Sequence, residues 1–252
     1  MNAEKQSIFD IPVAREYNKV RQNFIAEFLA AIRGQIAITS AVDVGCGVGL
    51  FSKFLSDRGL QVLALDGREE NTLEGKKRFP EINFATGNIE DPAIAEVGVF
   101  DLVLCVGLLY HLENPFRAIR NLHALTSKVL LIETMCLPGT QPTMELLDEG
   151  ASENQALNYV AFYPSESCLI KMLYQAGFPH VYRFKHLPAD WQFIATVWRQ
   201  KSRTFLVASK TALAPEILAL AVEPKQLVPG NRDPWSTRLS RARARWSSLV
   251  GS

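Results

Sequence analysis

The sequence predicts an α/β fold, doubly wound, on three observations. Continuous apolar runs, of the kind that strands buried on both faces require, recur along the chain. Segments with helical spacing alternate with them. One apolar run also feeds straight into a glycine-rich turn that opens a helix, Ala41-Val42-Asp43-Val44-Gly45-Cys46-Gly47-Val48-Gly49-Leu50. The 252 residues, 48% hydrophobic, are enough for one substantial core and need no second.

In chain order, Val13, Tyr17, Val20, Phe24, Phe28 and Ile32 recur at helical spacing, with Arg15, Glu16, Lys19, Arg21 and Glu27 between them. This makes segment 1–34 an amphipathic leading helix. After the first strand, a helix from Leu50 to Arg58 stops at Gly59. The run Gln61 to Asp66 is a second strand, followed by a helix from Glu69 to Phe79 that Pro80 ends. Ile82 to Asp91 reads as a strand and a polar loop, and Phe100 to Leu112 as a fourth strand running into Gly107-Leu108-Leu109-Tyr110-His111. Asn114 and Pro115 suit the cap and first turn of a helix to Leu125, and Lys128 to Glu133 is the next strand.

After Glu133 the rhythm breaks. Residues 134–163 hold Pro138, Gly139, Pro142, Glu145, Asp148, Glu149, Tyr159, Phe162 and Tyr163. A structureless loop of that length is improbable, so a helix is expected over Thr143 to Leu147 or beyond. In open α/β sheets, ligands collect at the carboxyl ends of the strands. This insertion leaves that edge, so it is expected to be a lid, with Tyr159 and Tyr163 as substrate contacts. Ser165 then caps a helix that Gly177 stops, and strands near Val181 to Phe184 and Thr204 to Ala208 complete a domain over 35–210.

The glycine turn requires backbone that admits positive φ and a close ligand, which suits a nucleotide-like cofactor. A dinucleotide fingerprint would place Gly or Ala where Leu50 stands. Asp66 lies 17 residues past Gly49 at the end of its strand; it suits ribose hydroxyls or, alternatively, a cap on the next helix. In order and spacing, Val42 to Gly49 with Asp43, then Asp66, then Thr86-Gly87-Asn88-Ile89, then Phe100 to Leu112 resemble the class I S-adenosylmethionine-dependent methyltransferases.

That resemblance implies a seven-stranded, mostly parallel, Rossmann-like sheet closed by an antiparallel last strand. It implies S-adenosylmethionine as cofactor and S-adenosylhomocysteine as product. Asp43, Gly45, Gly47, Gly49, Asp66 and Val106 then line the cofactor, and Asn88 and Ile89 meet its adenine, although most family members carry Asp at the Asn88 position. An Asx-turn is the other reading of Asn88. His111 stands where relatives place an active-site group, as a general base or orienting donor with Tyr110 beside it; hydrogen bonding near the next helix is its structural alternative. On the leading helix, Tyr17 or Arg15 would meet the methionine carboxylate, or else pack in the core and face solvent, respectively. The wording of Asp66 to Asn71, Gly107 to His111, Asn114-Pro115 and Tyr163 to Ser165 is similar to the branch that contains tRNA wobble-uridine carboxymethyltransferases.

Three functions follow as expectations. The first is methylation of a small-molecule or glycan-precursor acceptor, on oxygen or else on nitrogen. The second is tRNA methylation or carboxymethylation, and the third a binding scaffold without catalysis. From Lys225 onward six Lys and Arg face one Asp, a local +5, which leaves residues 1–224 at −4 out of the overall +1. A nucleic-acid partner is disfavoured by that body, and a carboxymethylated cofactor would need a cation such as Arg68 or Arg117. Cys46, Cys105, Cys136 and Cys168 form no paired motif, so no metal is expected. No apolar run spans a bilayer and the first residues lack the order of a signal peptide, which points to the cytoplasm. Within 211–252, read as linker and basic amphipathic helix, Trp235, Leu239, Ala242, Trp246 and Leu249 form one stripe bordered by Arg. It suits peripheral contact with an anionic membrane, docking on the domain, or a homodimer.

Overall fold

The computed structural model describes residues 10–148, 157, 160–196 and 201–225. The elements are α1 (Pro12–Ile32), β1 (Ser40–Val44), α2 (Leu50–Ser56), β2 (Gln61–Asp66), α3 (Glu69–Arg78), β3 (Asn83–Thr86), β4 (Phe100–Val106) and α4 (Pro115–Leu125). They continue with β5 (Thr126–Cys136), β6 (Met144–Asp148), β7 (Val160–Pro164), α5 (Glu166–Gln175), β8 (His180–Phe184), β9 (Ser202–Ser209) and β10 (Leu218–Leu220).

The period-two alternation of strand side chains builds the layers. Val42, Val44, Val103, Cys105, Leu130, Ile132, Leu206 and Ala208 point to one face of the main sheet, where α4 and α5 pack. Ala41, Leu102, Leu104, Val129, Leu131, Phe205 and Val207 point to the other, against α1 and α2. Both faces are covered, which is why these strands are apolar throughout. Helix α3 joins the α1 and α2 side through Gly75, where an added Cβ would come 2.3 Å from the Phe84 ring of β3.

The sheet order is β10-β8-β9-β5-β4-β1-β2-β3. The expected seven strands are therefore eight, and two strands, not one, run against the rest. β9 is antiparallel to β5 and to β8, which puts β8 parallel with the body, and β10 is antiparallel to β8. The extra strand is three residues long and only Leu218 of it is buried, so it offers too short a pattern to be read as a strand.

The expected helix near Thr143 is also corrected. Residues Met144–Asp148 form β6, paired antiparallel with β7 from Met144↔Pro164 to Asp148↔Val160. This two-stranded insertion leaves the carboxyl edge after β5, which itself runs on to Cys136. Ser165 ties its base: the buried hydroxyl donates to Gln141 O at 2.6 Å and accepts from the amides of Thr143 and Cys168. Tyr159 and the predicted tail helix lie outside the described residues, as does its Arg-bordered stripe.

The leading helix forms where its spacing predicts, with Pro12 in its first turn. Its inner face differs from the predicted stripe. The buried positions are Asn18, Arg21, Ile25, Phe28 and Ile32, while Val13 is 65% exposed. Two polar residues therefore occupy the inner face, and their reason is found in the site.

Candidate active site

The first half of the site is the turn between β1 and α2. Gly45, Gly47 and Gly49 have φ of 76°, 54° and 89°. The amides of Gly45 and Cys46 donate to Leu65 O at 2.8 and 3.1 Å, and the Gly47 amide donates to Asp66 Oδ2 at 2.8 Å. Asp66 Oδ1 accepts from the Arg68 amide at 2.9 Å and from Asn71 Nδ2 at 3.0 Å. Burial raises the Asp66 pKa above its usual value against the pull of these hydrogen bonds. With about two acceptor sites per carboxylate oxygen, Oδ2 keeps one for a further donor. Gly49 serves packing as well, since a Cβ there would lie 2.5 Å from the Phe84 ring.

Asp43 is 1% exposed and accepts from Ser52 Oγ at 2.6 Å. It braces the turn against α2 from below. Burial lifts its pKa to about 7, although the Ser52 hydrogen bond works the other way. Asn88 is exposed and its Oδ1 accepts from the Glu90 amide at 2.9 Å, the Asx-turn geometry. Ile89 is buried, and its carbonyl accepts from Asn121 Nδ2 at 2.7 Å. Val106 ends β4, buried, just before Gly107.

The second half lies at the same edge, over β4, β5 and β9. His111 closes a single 3₁₀ turn, Leu109–His111, and is 8% exposed; its ring lies 4.1 Å from that of Tyr110, centroid to centroid. The Tyr110 hydroxyl accepts from Arg203 Nη2 at 3.0 Å, and the Tyr110 ring meets Tyr163 of β7 edge-on at 5.7 Å. The Lys201 ammonium sits 4.4 Å from the Tyr163 ring centre. The insertion also reaches the loop after β2: a Cβ on Gly67 would lie 3.0 Å from the Leu157 side chain.

At the centre is Glu133, fully buried on β5. It accepts from Arg21 Nη2 at 2.7 Å and from Arg203 Nη1 at 3.1 Å. Arg21 Nη1 also donates to Asn18 Oδ1 at 3.2 Å, and Arg203 Nε to Gln192 Oε1 at 3.0 Å. The Tyr17 ring lies 3.6 Å beneath the Arg21 guanidinium. Burial lowers the Arg21 pKa to about 10, with Glu133 opposing and Arg203 reinforcing the shift. At Arg203 burial also disfavours the charge, but Glu133 and Tyr110 outweigh it and hold the pKa above its usual value.

Sequence reasoning missed Arg21, Glu133 and Arg203, whose only sequence signals are a cation within the helical pattern and a carboxylate ending an apolar strand. Arg15, by contrast, stands exposed beside Asp10 at 3.6 Å. Among the described residues, no group of three or more His, Cys, Asp or Glu is placed to hold a metal ion. A cavity of about 580 Å³ opens elsewhere, between Val20, Phe24 and Glu27 of α1 and residues 184–189, and no candidate residue lines it.

Residues 42–128 match the family model described as a methyltransferase domain. The ubiquinone biosynthesis O-methyltransferase of Rickettsia canadensis is 28% identical over 132 residues, 50% of this chain and 55% of that protein. Its namesake from Xanthomonas oryzae is 32% identical over 107 residues, 41% and 43% of the two chains. The chain thus spans about half the length of the curated relatives it matches. Among solved structures, the N-terminal domain of EvdMO1 with S-adenosylhomocysteine bound superposes with a TM-score of 0.62 at 20% identity, covering 75% of this chain and 80% of that one. The magnesium protoporphyrin IX methyltransferase from Synechocystis with bound S-adenosylmethionine gives 0.52 at 20% identity, covering 83% and 87%. Residues 42–128 are thus similar to a methyltransferase domain, and the solved neighbours share the α/β fold of this chain.

Proposed function

We propose that this chain is an S-adenosylmethionine-dependent methyltransferase that methylates an oxygen of a small-molecule or glycan-precursor acceptor. The observation that carries the reading is the Asp66 carboxylate at the end of β2, bonded at 2.8 Å to the middle of a turn whose three glycines all take positive φ. The turn offers backbone without Cβ atoms at a helix N-terminus, and Oδ2 of Asp66 keeps capacity for a ribose hydroxyl. The similarity to ubiquinone biosynthesis O-methyltransferases favours oxygen as the methylated atom.

When bound, S-adenosylmethionine would supply a methyl group on a sulfonium, which an acceptor oxygen would attack in line as the methyl–sulfur bond breaks and S-adenosylhomocysteine leaves. The protein holds the partners collinear and dry, which accounts for much of the acceleration in such reactions. Gly45, Gly47 and Gly49 seat the cofactor, Asp66 holds its ribose, Asn88 and Ile89 border its adenine, and Val106 forms part of the floor. Asp43 acts through the turn that it braces. His111 takes the acceptor proton, Tyr110 and Tyr163 wall the acceptor, and the β6–β7 insertion covers it; Tyr159, outside the described residues, is assigned to the acceptor on its sequence position alone. The test is incubation of the purified chain with isotopically labelled S-adenosylmethionine, fractionated metabolites and bulk tRNA. Label in a small-molecule fraction is expected, and label confined to tRNA would overturn the acceptor class.

A further inference from the structure

At the edge of the sheet opposite the candidate active site, an amine and an imidazole meet. Lys210 directly follows β9, and its amide donates at 2.9 Å to Lys128 O, near the start of β5. Its ammonium, which can only donate, bonds to Nε2 of His123 in the last turn of α4. Both residues are half-buried. The Phe178 ring lies under the pair, edge-on to the imidazole at 4.7 Å and with its centre 5.3 Å from the ammonium. Gly177 closes another side, where an added Cβ would come 3.2 Å from the imidazole.

Among the described residues, no carboxylate forms an ion pair with Lys210. Burial disfavours charge on both partners. It lowers the Lys210 pKa, and it lowers that of His123, where the Lys210 charge works the same way and a backbone hydrogen bond to Gly177 works against it. The other titratable groups nearby are otherwise placed: the Lys128 ammonium is held by Asp101 at 2.9 Å, and His180 of β8 stands opposite Ser209 in the ladder. His123 is therefore the base within reach of this amine. An amine in hydrogen-bond contact with an imidazole, itself held by packing, has the form of a nucleophile with its general base.

The geometry points to Lys210 as an acylation site, whose amine takes an acyl group from a thioester while His123 receives its proton. The pair stands apart from the methyl-transfer edge, so the inference does not depend on that reading. The ammonium first gives one proton to water. The free amine then attacks the thioester carbonyl carbon; the C–N bond forms, the C–S bond breaks and the electron pair leaves on the thiolate. His123 Nε2 takes the second proton and passes it to the thiolate or to water. A thioester suits the site because a thiol of pKa about 8.5 leaves as its anion without a proton donor, and the pair offers a base but no dedicated acid. The product is a neutral amide.

The experiment treats the full chain with limiting S-acetyl-N-acetylcysteamine and measures acetylation at each lysine by mass spectrometry. Lys76, exposed on α3, is the internal reference. At pH 7.5, Lys210 is expected to react about tenfold or more faster than Lys76, a modest share of what a general base contributes. His123→Gln keeps a hydrogen-bond acceptor but cannot take the proton, so it should bring Lys210 to within about threefold of Lys76. A second readout needs no variant. The His123 transition lies below the usual 6.5, so the Lys210 to Lys76 ratio should stay level above pH 7 and fall as pH drops through that transition; an amine acting without a base would keep a constant ratio. The proposal is overturned if Lys210 is no faster than Lys76 in the wild type, if His123→Gln leaves its advantage intact, or if the ratio holds unchanged down to pH 5.

Discussion

Asp66 has two tasks, and its replacement should expose both. Its Oδ2 holds the Gly47 amide as well as facing the proposed ribose position. Asp66→Ala should weaken S-adenosylmethionine by on the order of 1–3 kcal/mol, the range for hydrogen bonds to a charged group, in protein that remains folded by circular dichroism. Unchanged affinity by calorimetry would remove Asp66 from the cofactor site. Asp43 predicts a pH dependence. Its pKa is raised from 3.8 to about 7 on folding, so the folded state binds the extra proton between those values. The stability from this group is complete below about pH 4 and is lost as pH rises through 7. Asp43→Asn should remove that component, so denaturant midpoints measured from pH 4 to 8 should fall less steeply in the variant than in the wild type. The glycine turn, Asp43 and Asp66 were legible because each belongs to a local string of a strand and its turn. Asn88 was legible only as a choice between adenine contact and Asx-turn, and the structure displays the turn. Arg21, Glu133 and Arg203 were illegible because their meaning depends on partners 112 and 70 positions away.

At the scale of elements, α3 lies against β3 because Gly75 lets it. Gly75→Ala should destabilise the protein despite the better helix propensity of Ala, which contributes about 1 kcal/mol. The new methyl would press on the Phe84 ring, and overpacking typically costs 1–3 kcal/mol. A higher melting temperature in the variant would show that Phe84 yields freely. The 3₁₀ turn after β4 places His111 in the wall of the proposed acceptor site, and His111→Gln should retain cofactor affinity while turnover falls by about 10²–10⁴-fold. Equal turnover at saturating acceptor would exclude it as the base. Helix α1 was readable from its apolar spacing, and α4 and α5 from Asn114, Pro115, Ser165 and Gly177, whereas β6 was not. Met144–Asp148 is five residues, largely exposed, and its strand character comes from its partner β7 and not from its own pattern.

At the scale of the molecule, Glu133 joins α1, β5 and β9 across most of the chain. Glu133→Ala would leave the buried Arg21 guanidinium beside the partly buried one of Arg203 with no carboxylate between them, and breaking a buried pair in this way costs about 3–5 kcal/mol. Chemical denaturation should show that loss, and a midpoint within error of wild type would mean that water reaches the arginines freely. The parallel body of the sheet was legible from its apolar runs, while its far edge was not: β10 adds three residues, paired only to β8. The shared carboxylate also sets an order of events during synthesis. Helix α1 is made early, yet the residue that receives Arg21 follows 112 positions later and the second arginine 70 positions after that. A ribosome must therefore release nearly the whole sheet before the helix can be fastened, and contacts this distant in sequence close slowly. Until Arg203 emerges, Ile25, Phe28 and Ile32 face an unfinished surface, so the nascent chain, more than the finished protein, is the form exposed to chaperones and proteases.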